Sequence, residues 1–163
     1  MFRKLILLFF VLLLFGFAPQ SSNKINVEKI DKTKLHKLIK ERKGKVLFVN
    51  LWATWCVPCR EEFSSIVKLV NENKDVDFVG ISVDLPDEVE SKIIPFLKTN
   101  KANFVNYVNG IDGDEELIST LDKKWDGSLP ATFMFDETGK KISFLGGKKS
   151  YEEFKKEIEK AKK

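Results

Sequence analysis

The sequence predicts an α/β domain with a central mixed β-sheet and helices on both faces. Apolar runs typical of buried strands alternate along the chain with segments whose apolar residues recur at helical spacing, which favours a parallel core. The turn 136–139 separates two further strand-like runs and adds an antiparallel hairpin. The length of 163 residues suits one domain.

Composition excludes several classes of protein. The chain has 28 basic and 24 acidic residues, and the two signs are interleaved, so we expect no nucleic-acid partner. Hydrophobic residues make up 43% of the chain and include 14 Phe, enough for a sizeable core. Two Cys and one His exclude a four-ligand Cys/His zinc site within one chain and a disulfide-rich scaffold.

The amino-terminal segment is typical of a targeting signal. Two basic residues at 3–4 precede an apolar run over 5–17, and the first acidic residue is Glu28. A membrane span usually needs about 20 apolar residues, so this run is short for one. We expect residues 1–22 to be a signal peptide or an N-terminal membrane anchor, and residues 23–163 to form the folded domain. Both a cleaved and an uncleaved segment fit the pattern.

The first half of the chain predicts the central strand. The apolar run 46–51, broken only by Asn50, is typical of a strand covered on both faces. The other elements expected in this half are a weak strand over 25–27, an amphipathic helix over 31–43, a helix over 59–73 and a second buried strand over 76–83.

The second half predicts further helices and the hairpin. Residues 86–98 carry apolar side chains at helical spacing, and Pro95 inside this segment is expected to kink or end the helix. Ser150 and Glu153 fit a capping box, so the last helix should start at Ser150. Between them we expect a strand over 104–108, a helix over 114–125, and hairpin strands over 131–135 and 141–145.

The chemistry of the chain concentrates in the stretch Trp55-Cys56-Val57-Pro58-Cys59, which follows a strand and opens a helix. The amides at a helix start are unpaired and carry partial positive charge, so the pKa of Cys56 should fall. The thiolate is the form that attacks a disulfide. Because Cys59 lies one helical turn on, the pair can alternate between dithiol and disulfide with little backbone motion. The two cysteines are therefore predicted to be redox-active.

Other uses of a cysteine pair fit less well. Attachment of a c-type haem needs His after the second Cys, where this chain has Arg60. A zinc ribbon needs a second pair, which the sequence lacks. A disulfide that closes so small a loop stabilises a fold very little. A Cu(I) site with two thiolate ligands remains an alternative interpretation of the pair.

Two segments carry a resemblance to a known family. The run from Phe48 to Phe63, with the Cys pair inside it, resembles the active site of thioredoxin-fold proteins, and more narrowly the TlpA/ResA-like extracytoplasmic thiol–disulfide oxidoreductases. The stretch Leu129-Pro130-Ala131-Thr132-Phe133 is similar to the family's cis-proline segment. The likeness extends from about Val46 to the C-terminus. It implies a thioredoxin-like fold with an αβ insertion, over 85–125, before the cis-Pro strand.

The resemblance also implies roles for individual residues. Cys56 would be the nucleophile that forms a mixed disulfide with a client protein, and Cys59 would resolve it. Pro130 would be cis and would present backbone groups to the client, since cis bonds are largely a proline feature. Trp52 and Trp55 would wall the site. The substrate-binding set is Trp55, Pro58, Leu129 and Pro130.

The chain departs from thioredoxin in its groups for proton transfer. Thioredoxin has a buried Asp where this chain has Asn50, and a buried Lys where this chain has Gly80. We expect Glu62, three residues after Cys59, to act instead. A partly buried Glu has a raised pKa and can take the proton that Cys59 must lose.

The implied function is reduction of protein disulfides outside the cytoplasm, with no cofactor or metal beyond the Cys56–Cys59 pair. Family members imply a location in the bacterial periplasm, either secreted across the inner membrane or anchored to it, here through residues 5–18. The implied partners are protein clients such as apocytochrome c and a membrane thiol–disulfide electron donor. Two alternatives are a disulfide oxidase or isomerase, and a Cu(I)- or partner-binding module. The dipeptide Val57-Pro58 lacks the His common in strongly oxidising members, which favours reduction.

Overall fold

A computed structural model describes residues 25–41 and 44–162. The expected signal or anchor at 1–22 lies outside this range, as does the end of the predicted first helix at residues 42–43. Within the described ranges, no helix is both long enough and apolar enough to cross a membrane. The elements in chain order are β1 (Val27–Ile30), α1 (Lys32–Lys40), β2 (Val46–Trp52), α2 (Val57–Glu72), β3 (Val76–Ser82), α3 (Ile94–Thr99), β4 (Val105–Asn109), α4 (Asp114–Leu121), β5 (Ala131–Phe135), β6 (Lys141–Gly146) and α5 (Tyr151–Ala161).

The strands form one mixed sheet in the order β1-β4-β3-β2-β5-β6. β1, β4, β3 and β2 run parallel to one another, whereas β5 is antiparallel to β2 and β6 is antiparallel to β5. All seven residues of β2 are buried, because β2 lies inside the sheet with both faces covered. The predicted mixed α/β architecture with its terminal hairpin is confirmed.

Helices cover both faces of the sheet, and the alternation of side chains along β2 shows how. Leu47 and Val49 point to one face, where they join a core cluster that includes residues of α1 and α4. Phe48 points to the other face and packs in a cluster with residues of α2 and α5. Trp52 lies on that same second face, further along, beside residues of α2 and α3.

The segment after β3 differs from the expected single helix. It consists of a 3₁₀ turn, Pro86–Glu88, a π turn, Val89–Ile93, and the short helix α3. Pro95 lies in the first turn of α3. A first-turn residue needs no amide partner inside the helix, so proline is tolerated there. The regular helix predicted over 86–98 is thus interrupted next to Pro95, as expected, but Pro95 lies in the first turn of a new helix and does not end one.

The helix α4 is shorter than predicted. It ends at Leu121, so Trp125 belongs to the loop that follows rather than to the helix. The indole N–H of Trp125 donates a hydrogen bond to the carbonyl of Ser128 at 2.9 Å. This bond joins two residues of the same loop. This loop leads directly to Pro130 and positions one wall of the site described next.

Candidate active site

The Cys motif lies at the edge of the sheet where the parallel strands β2, β3 and β4 end. A tight turn over residues 53–56 leads from β2 to α2, and the N–H of Cys56 donates to the carbonyl of Ala53 at 3.2 Å within it. Cys56 is the N-cap of α2, and Pro58 occupies its first turn. The helix thus begins at Val57, two residues before the predicted start, and the prediction that Cys56 opens a helix is confirmed.

Cys56 and Cys59 are joined as a disulfide, with their Cα atoms 5.3 Å apart. The Sγ of Cys56 also accepts a hydrogen bond from the backbone N–H of Cys59 at 3.3 Å. The sulfur therefore lies against the unpaired amides of α2, where a negative charge is stabilised. Cys56 is 5% exposed and Cys59 only 1%, which makes Cys56 the outer sulfur.

Glu62 lies buried on the side of α2 that faces the sheet, with 2% of its surface exposed. Its carboxylate accepts hydrogen bonds from the side-chain amide of Asn50 at 3.0 Å and from the backbone N–H of Lys149 at 2.9 Å. Burial raises the pKa of Glu62 to about 7, although both hydrogen bonds oppose the shift. Glu62 can therefore bind and release a proton near neutral pH.

Asn50 and Gly80 show what replaces the proton-transfer groups of thioredoxin. The amide of Asn50 donates to Glu62 and to the hydroxyl of Thr132 at 3.0 Å, so it ties β2 to both α2 and β5. Gly80 pairs with Asn50 in the sheet. A Cβ atom at Gly80 would come within 2.1 Å of the Oδ1 of Asn106, so the adjoining space is already filled. A long basic side chain at position 80 does not fit this packing.

The peptide bond between Leu129 and Pro130 is cis, as the resemblance implied. Pro130 is buried, and its carbonyl accepts a hydrogen bond from the N–H of Gly147 at 2.8 Å. The loop before β5 is thereby joined to the loop after β6, close in sequence to Lys149, which contacts Glu62. The hydrogen bond between Gly147 and Pro130 therefore supports both the cis-proline loop and the segment that contacts Glu62.

A groove of about 860 Å³ opens beside Cys56. Trp55 and Pro58 line one side, and Leu129 lines it near the cis bond. The remaining wall includes Ile118 of α4 and Trp125 of the following loop. Three of the four predicted substrate-binding residues thus meet the outer cysteine in one largely apolar groove, while Pro130 is buried next to Leu129.

Trp52 lies behind the Cys pair, in one buried cluster with Cys56 and Cys59, but does not line the groove. It is fully buried and packs against the rings of Phe63 and Phe96, with ring centroids 5.0 and 4.9 Å away. The alternation of side chains along β2 points it into the core on the α2 side of the sheet. Trp55, by contrast, is 64% exposed and does line the groove.

Sequence reasoning missed Asp84, which lies two residues after the end of β3, at the same sheet edge as the Cys motif. Its buried carboxylate accepts hydrogen bonds from Thr54 in the turn before Cys56. The signal was present, since the carboxyl ends of neighbouring parallel strands meet at one edge and often bear functional groups. The contribution of α4 to the groove was also missed.

Comparisons with known proteins agree with this geometry. The Redoxin family model matches residues 22–161. The thiol–disulfide oxidoreductase ResA of Bacillus cereus is 31% identical over 115 residues, which cover 71% of this chain and 62% of that protein. ResA of Bacillus subtilis is 31% identical over 111 residues, which cover 67% of this chain and 57% of its own length. The chain thus spans about three fifths of the length of these relatives, 62% and 57%.

A solved structure extends the comparison to the fold. A thiol:disulfide interchange protein of the thioredoxin family from Chlorobium tepidum superposes with a TM-score of 0.61 at 27% identity, covering 73% of this chain and 81% of that one. The chain therefore belongs to the Redoxin family and has a thioredoxin-like fold.

Proposed function

We propose that this protein is a thiol–disulfide oxidoreductase that reduces protein disulfides outside the cytoplasm. The single observation that carries the proposal is the Cys56–Cys59 pair at the amino end of α2, with its outer sulfur in an apolar groove. The similarity to proteins named thiol–disulfide oxidoreductases supports it. The location is supported by the signal-like residues 1–22, which precede the proposed domain at 23–163.

In the first step, the thiolate of Cys56 attacks one sulfur of the client disulfide. A bond forms between Cys56 and that sulfur while the client's own S–S bond breaks. The electron pair leaves on the second client sulfur, which takes a proton from solvent. The amides at the start of α2 stabilise the attacking thiolate, so the nucleophile is available near neutral pH.

In the second step, Cys59 loses its proton and attacks the Sγ of Cys56. The Cys56–Cys59 disulfide forms, and the client's first sulfur leaves and is protonated. We assign Glu62 as the group that accepts the proton from Cys59, because its pKa of about 7 suits a base at neutral pH. Overall, two electrons pass from the pair to the client. The pair gives up two protons, one to solvent when Cys56 ionises and one to Glu62, and the two client sulfurs take up two protons. A membrane-bound dithiol donor restores the pair by the reverse exchange.

The client lies along the groove as an extended segment. Trp55, Pro58 and Leu129 offer apolar contacts beside Cys56, and Pro130 fixes the backbone next to Leu129. A protein whose cysteines are accessible in an unfolded segment suits such a groove, and apocytochrome c before haem attachment is one client of this kind.

Trapping tests the proposal directly. Cys59→Ser, expressed with residues 1–22 intact, should accumulate mixed disulfides on Cys56, because the resolving thiol is gone. Mass spectrometry of the adducts then identifies the client proteins. Cys56→Ser is the matched control and should trap far fewer. If neither variant forms adducts, or if both form them equally, the proposed roles of the two cysteines are wrong.

The direction of exchange is tested by the reduction potential of the pair. A value well below about −180 mV supports a reductase, whereas a value at or above it supports an oxidase or isomerase. Tight stoichiometric binding of Cu(I) without turnover of a protein disulfide would instead support the metal-binding alternative.

A further inference from the structure

Asp84 is a buried carboxylate that the proposed mechanism does not use. It is 3% exposed and accepts three hydrogen bonds from neutral groups. The backbone N–H of Thr54 donates at 2.9 Å, the hydroxyl of Thr54 at 2.5 Å and the hydroxyl of Ser82 at 2.5 Å. An ionised carboxylate only accepts hydrogen bonds, so this set of donors matches it. Without them, burying the group would be very costly.

Two of these three contacts converge on the turn that carries Cys56. Thr54 is in the middle of the turn 53–56, and both of its donors point at the one carboxylate. At the start of the turn, the carbonyl of Trp52 accepts the N–H of Val83 at 2.9 Å, which extends the pairing of β2 with β3 beyond their ends. Val83 thus pairs with the end of β2, and Asp84 holds the middle of the turn.

The position of this turn matters because the stabilisation of an anion by a helix falls off within the first turn of the helix. The Sγ of Cys56 is 3.3 Å from the backbone nitrogen of Cys59, which donates to it. Trp55, between Thr54 and Cys56, is 64% exposed and so adds little packing to hold the turn. Ala53 and Cys56, on either side, are buried in a core cluster, and the polar contacts to Thr54 restrain the middle of the turn between them.

We infer that Asp84 is a positioning residue which, through Thr54, holds the sulfur of Cys56 at the amino end of α2 for attack on the client. The inference rests on the proposed function, since it assigns a role relative to Cys56 as the nucleophile. Ser82, whose hydroxyl also accepts the backbone N–H of Asp84 at 3.0 Å, fixes the carboxylate in turn.

Two substitutions of Thr54 test the inference without changing any charge. Thr54→Val keeps the shape of the side chain but removes the hydroxyl donor, whereas Thr54→Ser keeps the donor. In the reduced full chain, alkylation of Cys56 by iodoacetamide is followed against pH by peptide mass spectrometry. We expect Thr54→Val to slow alkylation at neutral pH by about two- to tenfold, the range that one hydrogen bond supplies, and to move the midpoint of the profile upward. Thr54→Ser should stay near the wild type.

A charge control separates positioning from electrostatics. Asp84→Asn removes a negative charge, which alone would favour the Cys56 thiolate and speed alkylation, but it also weakens the hold on Thr54. We expect the second effect to win, so Asp84→Asn slows alkylation as Thr54→Val does. Asp87→Asn removes the same charge from an exposed position in the next turn and should change nothing.

An unchanged pH profile in Thr54→Val, even with a lower unfolding midpoint, would overturn the inference and leave Asp84 a structural residue. Faster alkylation in Asp84→Asn with no change in Thr54→Val would also overturn it, in favour of charge alone. If Asp84→Asn does not fold, the Thr54 pair still decides. An ordinary thiol profile for Cys56 in the wild type would instead contradict the proposed function, so the two failures are distinguishable.

Discussion

At the scale of single residues, Glu61 and Glu62 differ in chemistry although they are neighbours in α2. Glu61 is exposed and forms an ion pair with Lys148 at 2.7 Å. Glu62 is buried, and burial raises its pKa to about 7. One step along a helix turns the side chain by about 100°, which is enough to move a carboxyl group from solvent to the face of the sheet. Replacing each Glu by Gln therefore distinguishes the effect of a buried carboxyl group from the effect of an exposed one on the same helix.

The raised pKa of Glu62 predicts that the protein loses stability as the pH rises from about 4.5 to about 7. The ordinary pKa of the side chain is 4.5, so between this value and about 7 the folded state keeps a proton that the unfolded state has released. The free energy of unfolding should fall across that window by up to about 3 kcal/mol. Glu62→Gln cannot titrate, so its stability should depend less on pH. Urea denaturation of the oxidised chain at about pH 5 and about pH 8 measures the difference.

Glu61→Gln is the control for this comparison, because it removes an exposed carboxyl group from the same helix turn. Its pH dependence should follow the wild type. The same slope in Glu62→Gln as in the wild type would show that Glu62 ionises normally in the folded protein.

The kinetic role of Glu62 predicts a second effect of Glu62→Gln. Loss of a positioned base typically slows a proton-transfer step by about a hundredfold or more. We expect slow release of the Cys56–client mixed disulfide, which needs Cys59 to lose its proton, and little change in the initial attack by Cys56. Rapid quenching, with mixed and released species counted by mass spectrometry, measures both steps. Equal rates of release in Glu62→Gln and the wild type would remove Glu62 from the mechanism.

The sequence was informative about residues at a fixed offset from the Cys motif. Glu62 could be singled out because α2 carries it three residues after Cys59, whereas its contact with Lys149, 87 positions away, could not be predicted. Asp84 could not be identified with the same reasoning, since its burial depends on Thr54, thirty positions away in sequence. The position of Trp52 was predicted in part, because the alternation of side chains along β2 buries it behind the Cys pair instead of placing it in the groove.

At the scale of elements, three adjacent strands each contribute one residue to a row of paired positions beneath the site. Asn50 of β2 pairs with Gly80 of β3, which pairs with Asn106 of β4. The Oδ1 of Asn106 and the indole nitrogen of Trp52 both border the place where a side chain of Gly80 would be, 2.1 and 3.0 Å from a Cβ atom. The strands can pack here only because the central residue has no side chain.

This row predicts a coupled pair of substitutions. Gly80→Ala forces Asn106 to move, and overpacking of this kind costs about 1–3 kcal/mol. Asn106→Ala empties the space, so the double variant should be more stable than the sum of the two single effects allows. Urea denaturation of all four proteins gives the interaction energy. Strict additivity would show that the added methyl group is accommodated elsewhere, without displacing Asn106.

The ends of helices show which element boundaries could be predicted. The start of α5 was foreseen because the hydroxyl of Ser150 accepts the N–H of Glu153, and the Glu153 carboxylate accepts the N–H of Ser150, all within one turn. The segment around Pro95 was not, since proline fits the first turn of a helix as well as it ends one. Local hydrogen bonds determine where α5 starts, whereas the packing of the whole segment determines the structure around Pro95.

At the scale of the whole molecule, the groove is assembled from segments far apart in sequence. The Cys motif and the Leu129–Pro130 loop carry recognisable patterns, so these sides of the groove could be predicted. The side formed by Ile118 and Trp125 could not, because it depends on how α4 and its following loop pack over the sheet. The wall that the proposed client would contact is thus harder to predict from the sequence than the Cys pair that we propose carries out the exchange.

The groove therefore predicts a variant that separates client binding from chemistry. Ile118→Glu introduces a charge into the apolar wall, so KM for an oxidised peptide with apolar residues beside its disulfide should rise about tenfold, which corresponds to about 1.4 kcal/mol of binding. A small dialkyl disulfide does not fill the groove, and its reduction should be unchanged. Ser119→Glu adds the same charge to an exposed neighbouring position outside the groove and is the control. Equal KM values for the two variants would mean that clients approach Cys56 without contacting α4.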